Sequence, residues 1–307
     1  MSELRENRVL AFDVGGSHVA AAVCSGMDYQ LGPVVSAPYA AISAADQFAN
    51  MLLDLGVRAG ATSDGTAQAM VAVPGPFDFQ AGVSWMRHKL PYLYGFDLRG
   101  AIAARFGWQT SNIRFLNDAD AFMLGEVGGG AARGFRRAVG FTLGTGIGSG
   151  FAIDGRLVTS GTGVPPSGEI WNVPFHGGIV EDSVSTRAII GSYERRTGCK
   201  REVVEIASSA PTDRAAVESF EEFGRNLGEV VRTVLADFHP EVVVLGGGIA
   251  RSAQLFLHAV NREIADSRIQ VRISALGDRA ALVGCAVAAF QSGGEQPDAG
   301  KSAPAGV

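Results

Sequence analysis

The sequence predicts an α/β protein built from two lobes of similar design. Strand-like apolar segments alternate with segments of helical periodicity, which is typical of α/β folds. The segment "VLAFDVGGSHVAAAVCSG" has the same form as "AVGFTLGTGIGSGFAIDG", which follows about 130 residues later. Each is an apolar strand, a glycine turn with a hydroxyl residue, and a second apolar strand. This duplication predicts two similar lobes whose glycine turns face each other and line one cleft with backbone N–H groups.

The remaining elements follow from apolar spacing and from breaks at glycine and proline. Helical spacing predicts helices in "AADQFANMLLDLGVRA", "GFDLRGAIAARFG", "AAVESFEEFGRNLGEVVRTVLADFHP" and "DRAALVGCAVAAFQ", the third of them ended by Pro240. Continuous apolar runs predict buried strands in "AQAMVAVPGP", "IRFLND" and "EVVVLGGGIA". The tail from Ser292 is poor in apolar residues and rich in Gly, Pro and Ala, so we predict that it is disordered.

Composition limits the classes of partner. The chain has 307 residues, 47% of them hydrophobic, with a net charge of −5 and a pI of about 5.6. An acidic chain argues against general binding to nucleic acid or to an anionic membrane, each of which needs a basic patch. No apolar run is long enough to span a membrane, and the first residues lack a signal core, so we expect a soluble cytoplasmic protein. Cys24, Cys199 and Cys285 are far apart, which argues against a disulfide framework or a zinc knuckle.

The glycine turns suggest a phosphate ligand. A Walker loop requires Gly-Lys, which occurs only at Gly300–Lys301 in the tail, and a dinucleotide fingerprint requires a helix where a strand follows Gly150. Two interpretations remain: turn amides that bind phosphate oxygens, which glycine permits because it has no Cβ, or tight hairpins without a ligand.

Six segments, in this order, resemble motifs of the ROK family of sugar kinases: "FDVGGSHVAAAV", "VAVPGPFDFQAGV", "LNDADAFMLGE", "GFTLGTGIGSGFAIDGRL", "VVVLGGGIA" and "LGDRAALVGCAVAAF". The resemblance implies an actin-like ATPase (RNase H-like) fold with two α/β lobes around a cleft. It also implies ATP as the phosphoryl donor, Mg²⁺, a sugar acceptor and a homodimer. The smaller lobe would comprise residues 1–117 plus about 279–292, the larger lobe 118–278, and the disordered tail 293–307.

The resemblance assigns ATP and phosphate binding to three glycine-rich segments. These residues are Asp13, Gly15, Gly16 and Ser17 in the first turn, Gly144, Thr145, Gly146 and Gly148 in the second, and Gly246, Gly247 and Gly248 after the last buried strand. Taken alone, Asp13 either caps its turn or holds Mg²⁺, directly or through water. The resemblance favours magnesium.

Asn117 and Asp118 end a predicted strand between the two glycine turns. In open α/β sheets, carboxylates at strand ends commonly carry the chemistry. A carboxylate here can take the proton of a sugar hydroxyl, or Asp118 can cap the helix that follows. The resemblance implies that Asp118 is the general base and that Asn117 holds a neighbouring hydroxyl.

The resemblance also assigns sugar contacts to Gly75, Glu169, Asn172 and Glu181. Taken alone, a glutamate is more often part of a solvated surface. This sequence departs from the family at several positions. Asn172 replaces the zinc-ligand histidine and every zinc cysteine is missing, so we predict no zinc.

Three further departures concern substrate contacts. Trp171 replaces a glycine, and it either stacks on a sugar ring or fills the space of the metal loop. His18 and Lys89 replace a common lysine and a sugar-contacting asparagine.

These observations predict an ATP-dependent hexose kinase, most simply a glucokinase acting on the 6-hydroxyl. Fructokinase and N-acetylhexosamine kinase activities are alternatives. A non-catalytic sugar-binding regulator is an alternative from a different class. Retention of Asp13, Asp118 and both glycine turns argues against it, as does a first strand beginning near Val9 without a preceding helix-turn-helix.

Overall fold

Two α/β units make up the part of the chain that the computed structural model describes, namely residues 8–26, 28–62, 66, 68–265 and 268–291. The first unit contains the described residues up to Gly130 and those from Arg279 onwards, and the second unit contains the described residues between them. The tail predicted to be disordered, 293–307, lies outside the described residues.

The strands are β1 (Arg8–Val14), β2 (His18–Ser25), β3 (Gln30–Leu31), β4 (Val35–Pro38), β5 (Ala69–Val73), β6 (Phe77–Asp78), β7 (Val83–Ser84), β8 (Ile113–Asn117), β9 (Arg137–Leu143), β10 (Ile147–Ile153), β11 (Arg156–Leu157), β12 (Pro174–Phe175), β13 (Gly178–Ile179), β14 (Val242–Gly246) and β15 (Gln270–Ile273).

The helices are α1 (Ala45–Arg58), α2 (Leu98–Phe106), α3 (Asp118–Gly129), α4 (Val180–Ser183), α5 (Thr186–Thr197), α6 (Val203–Ser209), α7 (Arg214–Val234), α8 (Leu257–Ile264) and α9 (Ala280–Gln291). Short 3₁₀ helices cover Pro91–Leu93, Thr110–Asn112, Pro166–Gly168, Ile249–Leu255 and Gly277–Arg279. No helix in the described part of the chain combines the length and apolar character needed to span a bilayer.

The sheet of the first unit brings three strand ends to one edge. Its order is β3-β2-β1-β5-β8, with β4 also paired to β2. Strands β1 and β2 form an antiparallel hairpin, whereas β5 and β8 run parallel to β1. Because the carboxyl ends of parallel strands share an edge, the pairing sets Asp13 opposite Ala72, and Val73 opposite Asn117. Asp13 and Asn117 therefore lie at the same edge of the sheet, on the two strands that flank β5.

The sheet of the second unit repeats this arrangement. Its order is β11-β10-β9-β14-β15, in which β9 and β10 form an antiparallel hairpin while β14 and β15 run parallel to β9. The hairpin β9–β10 thus has the same place in its sheet as β1–β2 has in the other. The similarity between the two glycine segments corresponds to this duplicated topology. Helix α7 covers the core of this unit with a stripe of buried residues that includes Phe220, Phe223 and Leu227.

One helix boundary differs from the sequence prediction. Helix α7 was predicted to run to Pro240, but it ends at Val234. The chain turns there because the Leu235 carbonyl accepts hydrogen bonds from Phe238 N (3.1 Å) and His239 N (3.2 Å). His239 then adopts a positive φ of 52°, a conformation that is incompatible with a right-handed α-helix. Helices α4, α5, α6 and α8 were not predicted.

Helices α3 and α9 approach each other so closely that their backbones touch. A Cβ added at Gly284 would collide with the Ala121 carbonyl, and one added at Gly125 would collide with the Ala280 carbonyl. This packing makes α3 part of the first unit, which extends to Gly130. The sequence prediction had instead started the larger lobe at residue 118. The difference arises because the contact joins segments far apart in the chain.

We expect Gly284→Ala to lower the free energy of unfolding by about 1–3 kcal/mol or more, since overpacking against backbone cannot be relieved by a rotamer change. Gly129→Ala is the matched control on α3, because its added Cβ would lie at an ordinary contact distance of 3.9 Å from Val283. Urea unfolding of both variants measures the difference. Equal stabilities for the two variants would contradict the close approach.

Candidate active site

The first turn, residues 15–17, joins β1 to β2 and is fixed from one side. Gly15 N donates to the His18 carbonyl (3.0 Å), and the Tyr39 hydroxyl donates to the Gly15 carbonyl (2.8 Å). Gly16 and Ser17 are exposed, and a Cβ added at Gly16 would meet no atom within 4 Å. The turn is therefore rigidly held and leaves open space beside its backbone, as an anion-binding turn requires.

Asp13 lies one residue before the end of β1 and is partly buried. Asp13 interacts electrostatically with the fully buried Cys285 thiol, which points to the Phe12 carbonyl with an S···O distance of 3.6 Å. Burial raises the pKa of the Cys285 thiol well above its usual value, and the charge of Asp13 raises that pKa further. The thiol therefore stays neutral and adds no second negative charge beside the carboxylate.

Asn117, not Asp118, caps helix α3. The Asn117 side-chain oxygen accepts hydrogen bonds from Ala119 N (3.0 Å) and Asp120 N (3.3 Å). Asp118 is the first residue of the helix, and its Oδ1 accepts one hydrogen bond from Ala119 N (2.9 Å). The side-chain oxygen of Asn117 thus caps the N-terminus of α3. This places the partly buried Asp118 carboxylate at the carboxyl end of β8.

Gly75 lies on the segment that follows the neighbouring strand β5. The Gly75–Pro76 peptide bond is cis, and a Cβ added at Gly75 would meet no atom within 4 Å. Trp85 N donates to the Pro76 carbonyl (3.0 Å), which brings the start of the loop 85–90 beside this segment. Lys89 lies on this loop and is exposed.

The second turn, residues 144–146, joins β9 to β10. Its two glycines differ in how much space surrounds the position of a side chain. A Cβ added at Gly144 would meet no atom within 4 Å, whereas one added at Gly146 would collide with the Glu181 carboxylate. Glu181 Oε2 also accepts a hydrogen bond from Ile147 N (3.4 Å). Thr145 is exposed in the turn, and Gly148 lies inside β10 opposite Thr142. Packing against Glu181 therefore explains why residue 146 is glycine, whereas no neighbouring atom would obstruct a side chain at residue 144.

The third glycine segment follows β14. Gly247 has a positive φ of 83°, and a Cβ there would collide with the backbone of Leu143 on β9. Gly246 is the buried last residue of β14, while Gly248 is exposed with no atom within 4 Å of an added Cβ. Close packing of two strands thus explains Gly247, and space for a ligand lies beside Gly248.

Glu169 and Trp171 form a pair on the segment that follows the 3₁₀ helix Pro166–Gly168. The Trp171 indole Nε1 donates to Glu169 Oε2 (3.0 Å), and the Trp171 side chain is 40% exposed. The buried Ser149 hydroxyl of β10 fixes this segment by donating to the Gly168 carbonyl (2.7 Å) and accepting from Ile170 N (3.1 Å). Strand β10 therefore positions Glu169.

The segment around Asn172 is held by interactions between protein groups. It forms the hairpin β12–β13, and Asn172 before it is exposed. His176 Nε2 lies 3.0 Å from Glu229 Oε2 of α7, and its ring stacks on Phe175. Glu181 N donates to the Trp171 carbonyl (3.0 Å) across the base of the hairpin. Within the described ranges, no group of three or more His, Cys, Asp or Glu side chains is placed to hold a metal ion.

Each unit brings together its own share of the predicted residues. The first unit carries Asp13, Gly15, Gly16, Ser17, Gly75, Asn117 and Asp118, and the second carries Gly144, Thr145, Gly146, Gly148, Glu169, Asn172, Glu181, Gly246, Gly247 and Gly248. Sequence analysis missed Thr186 and Arg187, which begin helix α5 beside the second turn. The available signal was the Ser-Thr pair at 185–186, since Ser and Thr are common at helix N-termini.

A profile of the ROK family matches residues 9–292. The chain belongs to the ROK family. A glucokinase of Thermotoga maritima is 28% identical over 232 residues, covering 66% of this chain and 71% of the relative. An N-acetyl-D-glucosamine kinase of Pectobacterium atrosepticum is 26% identical, covering 69% of this chain and 74% of the relative.

The crystal structure of a ROK hexokinase from Thermus thermophilus is similar to this chain, with a TM-score of 0.76 and 26% identity over 92% of this chain and 98% of the other. The predicted fold class, an actin-like ATPase fold of two α/β lobes, is thereby confirmed.

We expect Gly247→Ala to lower the free energy of unfolding by about 1–3 kcal/mol or more, because it adds both a backbone collision and a strained φ. Gly144→Ala and Gly248→Ala should change it by less than about 0.5 kcal/mol, since open space surrounds both positions. Chemical unfolding of the three variants measures this. A cost at Gly144 as large as that at Gly247 would show that the second turn is packed rather than open.

Proposed function

We propose that this chain, an ATP-dependent sugar kinase of the ROK family, transfers the γ-phosphoryl group of ATP to the 6-hydroxyl of a hexose, with glucose as the preferred acceptor. The observation that carries the proposal is Asp118, a partly buried carboxylate at the start of α3, held at the end of β8 by the Asn117 cap. The names of the glucokinase and hexokinase relatives support the choice of glucose. N-acetylglucosamine is the alternative acceptor, supported by the relative named for that activity.

Asp118 would act as the general base. Its Oδ1 accepts a hydrogen bond from Ala119 N, while Oδ2 makes no hydrogen bond within the described part of the chain. As the bond forms between the sugar oxygen and phosphorus, the hydroxyl proton passes to Asp118 and ADP leaves with the electrons of the broken O–P bond. The proton then passes to solvent, and the carboxylate is ready for another turnover.

Backbone amides and one carboxylate would hold the nucleotide. The amides of Gly16 and Ser17 in the first turn, and those of Thr145 and Gly146 in the second, are the proposed direct phosphate contacts. Gly15 and Gly144 would shape the two phosphate-binding turns, since their N–H groups donate to the His18 and Gly146 carbonyls (both 3.0 Å). Gly246, Gly247 and Gly248 form the proposed adenosine segment. Mg²⁺ binds proteins through one or two carboxylates plus phosphate oxygens, and the hard oxygen donors of Asp13 at the end of β1 fit this requirement. Mg²⁺ would neutralise phosphate charge in the complex.

The sugar would be held by hydrogen bonds and by stacking. Glu169 and Glu181 are the proposed acceptors for sugar hydroxyls, with Gly75, Asn117 and Asn172 as further contacts. The Trp171 ring offers an exposed flat surface to a sugar ring while its indole N–H holds Glu169. A packing role for Trp171 is compatible with this, since the Trp171 carbonyl accepts a hydrogen bond from Glu181 N. A homodimer, a cytoplasmic location and the absence of zinc stay predictions.

ADP release in the presence of ATP, Mg²⁺ and one sugar at a time tests the proposed acceptor. We expect kcat/KM to be highest for glucose, with glucose 6-phosphate as the product, and lower for fructose, N-acetylglucosamine and N-acetylmannosamine. A glucose 6-phosphate dehydrogenase assay identifies the position of the new phosphate. Higher kcat/KM with an N-acetylated sugar would overturn the choice of glucose, and ADP release no faster than without sugar would overturn the kinase proposal.

We expect Asp118→Asn to lower kcat by about 10²-fold or more, since general-base catalysis typically contributes about 10²–10⁴-fold. Asparagine keeps the size of the side chain and its hydrogen bond to Ala119 N, so ATP affinity and thermal stability should change little.

Asp97→Asn is the matched control for Asp118→Asn, because Asp97 is also a carboxylate at a helix start in the first unit, where it caps α2 by accepting from Gly100 N (2.8 Å). The control should keep full activity. Turnover by Asp118→Asn within a few-fold of the parent would show that the base lies elsewhere.

A further inference from the structure

Helix α5 begins directly against the second turn. The Gly144 carbonyl accepts two hydrogen bonds from Thr186, one from its backbone N (2.8 Å) and one from its hydroxyl (2.9 Å). Ser185 at the N-cap position is fully buried, and its hydroxyl makes no hydrogen bond within the described part of the chain. These contacts fix the start of the helix, and hence the backbone of Arg187, relative to the turn.

Arg187 is linked to the second turn through a carboxylate. Its guanidinium Nη2 lies 3.1 Å from Glu181 Oε1 and 3.8 Å from Asp182 Oδ1. The other oxygen of Glu181 accepts from Ile147 N and lies against Gly146. The Glu181 carboxylate thus lies between the Arg187 guanidinium and the second turn. Because the Arg187 side chain is 64% exposed, it can exchange Glu181 for another partner without disturbing the core.

The charges around the second turn require a cation if phosphate binds there. Glu181 and Asp182 place two negative charges beside the turn, and the turn itself contains no lysine or arginine. Two other arginines of α5, Arg195 and Arg196, pair with Glu222 of α7 near the other end of the helix. Arg187 is therefore the cation of α5 that is placed to offset the charge of a phosphate at this turn.

We propose that Arg187 binds the terminal phosphate of the nucleotide, exchanging part of its pairing with Glu181 and Asp182 for the phosphate oxygens. This inference rests on the proposed function, which assigns ATP phosphates to the second turn. The Glu181–Arg187 pair holds the guanidinium close to the turn before ATP arrives, and the fork of N–H groups then contacts the phosphate. A contact with the terminal phosphate distinguishes ATP from ADP and AMP.

Titration calorimetry with ATP, ADP and AMP tests Arg187 directly. We expect Arg187→Gln to weaken ATP binding by about 10-fold or more, as loss of a charge-assisted hydrogen bond typically does. ADP binding should weaken less and AMP binding should not change. Arg187→Lys should recover part of the ATP affinity through its charge. Arg195→Gln is the matched control, since Arg195 is equally exposed on the same helix but pairs with Glu222.

A double variant separates this role from a merely structural one. If Arg187 only holds Glu181 in place, Arg187→Gln will have no effect on ATP affinity in a Glu181→Gln background, and that result would overturn the proposal. We expect the loss of ATP affinity to persist in that background. Equal weakening of ATP, ADP and AMP by Arg187→Gln, or no change for any of them, would also overturn it.

The nucleotide titrations test the role of Arg187, and the sugar assay tests the proposed acceptor reaction, so a failure of one proposal can be distinguished from a failure of the other. If the parent protein binds ATP more tightly than AMP but phosphorylates no sugar, the proposed acceptor reaction fails while the nucleotide series still decides the role of Arg187. If the parent binds no ATP, both the Arg187 proposal and the proposed function are overturned.

Discussion

The backbone contact between α3 and α9 is the constraint on which the first unit depends. Glycine at 125 and 284 lets each helix touch a carbonyl of the other, and α9 in turn packs on β1, β2 and β5. Arg114 of β8 also donates to the Ala289 carbonyl of α9 (3.1 Å). Because α9 comes from the end of the described chain, this unit is completed only after the second unit has been synthesised. The strand ends that carry Asp13 and Asp118 are therefore fixed by long-range packing.

In the second unit, strand β10 and the start of α5 organise the polar residues. Ser149 of β10 fixes the segment that carries Glu169, and Thr186 of α5 fixes the Gly144 carbonyl. Glu181 connects these parts, since it contacts the second turn and Arg187, and its backbone N–H reaches the Trp171 carbonyl. The residues proposed for phosphate and for sugar therefore belong to one hydrogen-bonded group, so a substitution at Glu181 should affect both substrates.

The sequence was most informative where structure is local. Glycine turns between apolar strands, the spacing of α1 and α2, and the buried run of β14 predicted elements that the structure contains. The order of the family motifs predicted the fold. The structure was needed where partners are distant in sequence: the Leu143 backbone behind Gly247, and the grouping of α3 with α9. It was also needed to choose between adjacent candidates for the cap of α3, where Asn117 rather than Asp118 fills the position. Arg187 was missed because its partner Glu181 lies on a segment without clear periodicity.

A crystal structure of the chain with glucose and a non-hydrolysable ATP analogue tests the central claim, that Asp118 removes the proton from the acceptor hydroxyl. We predict that a carboxylate oxygen of Asp118 lies about 2.6–3.2 Å from the 6-hydroxyl oxygen, which is the range for a general base. A 6-hydroxyl that lies beyond hydrogen-bond reach of Asp118, and within reach of Glu169 instead, would contradict the account.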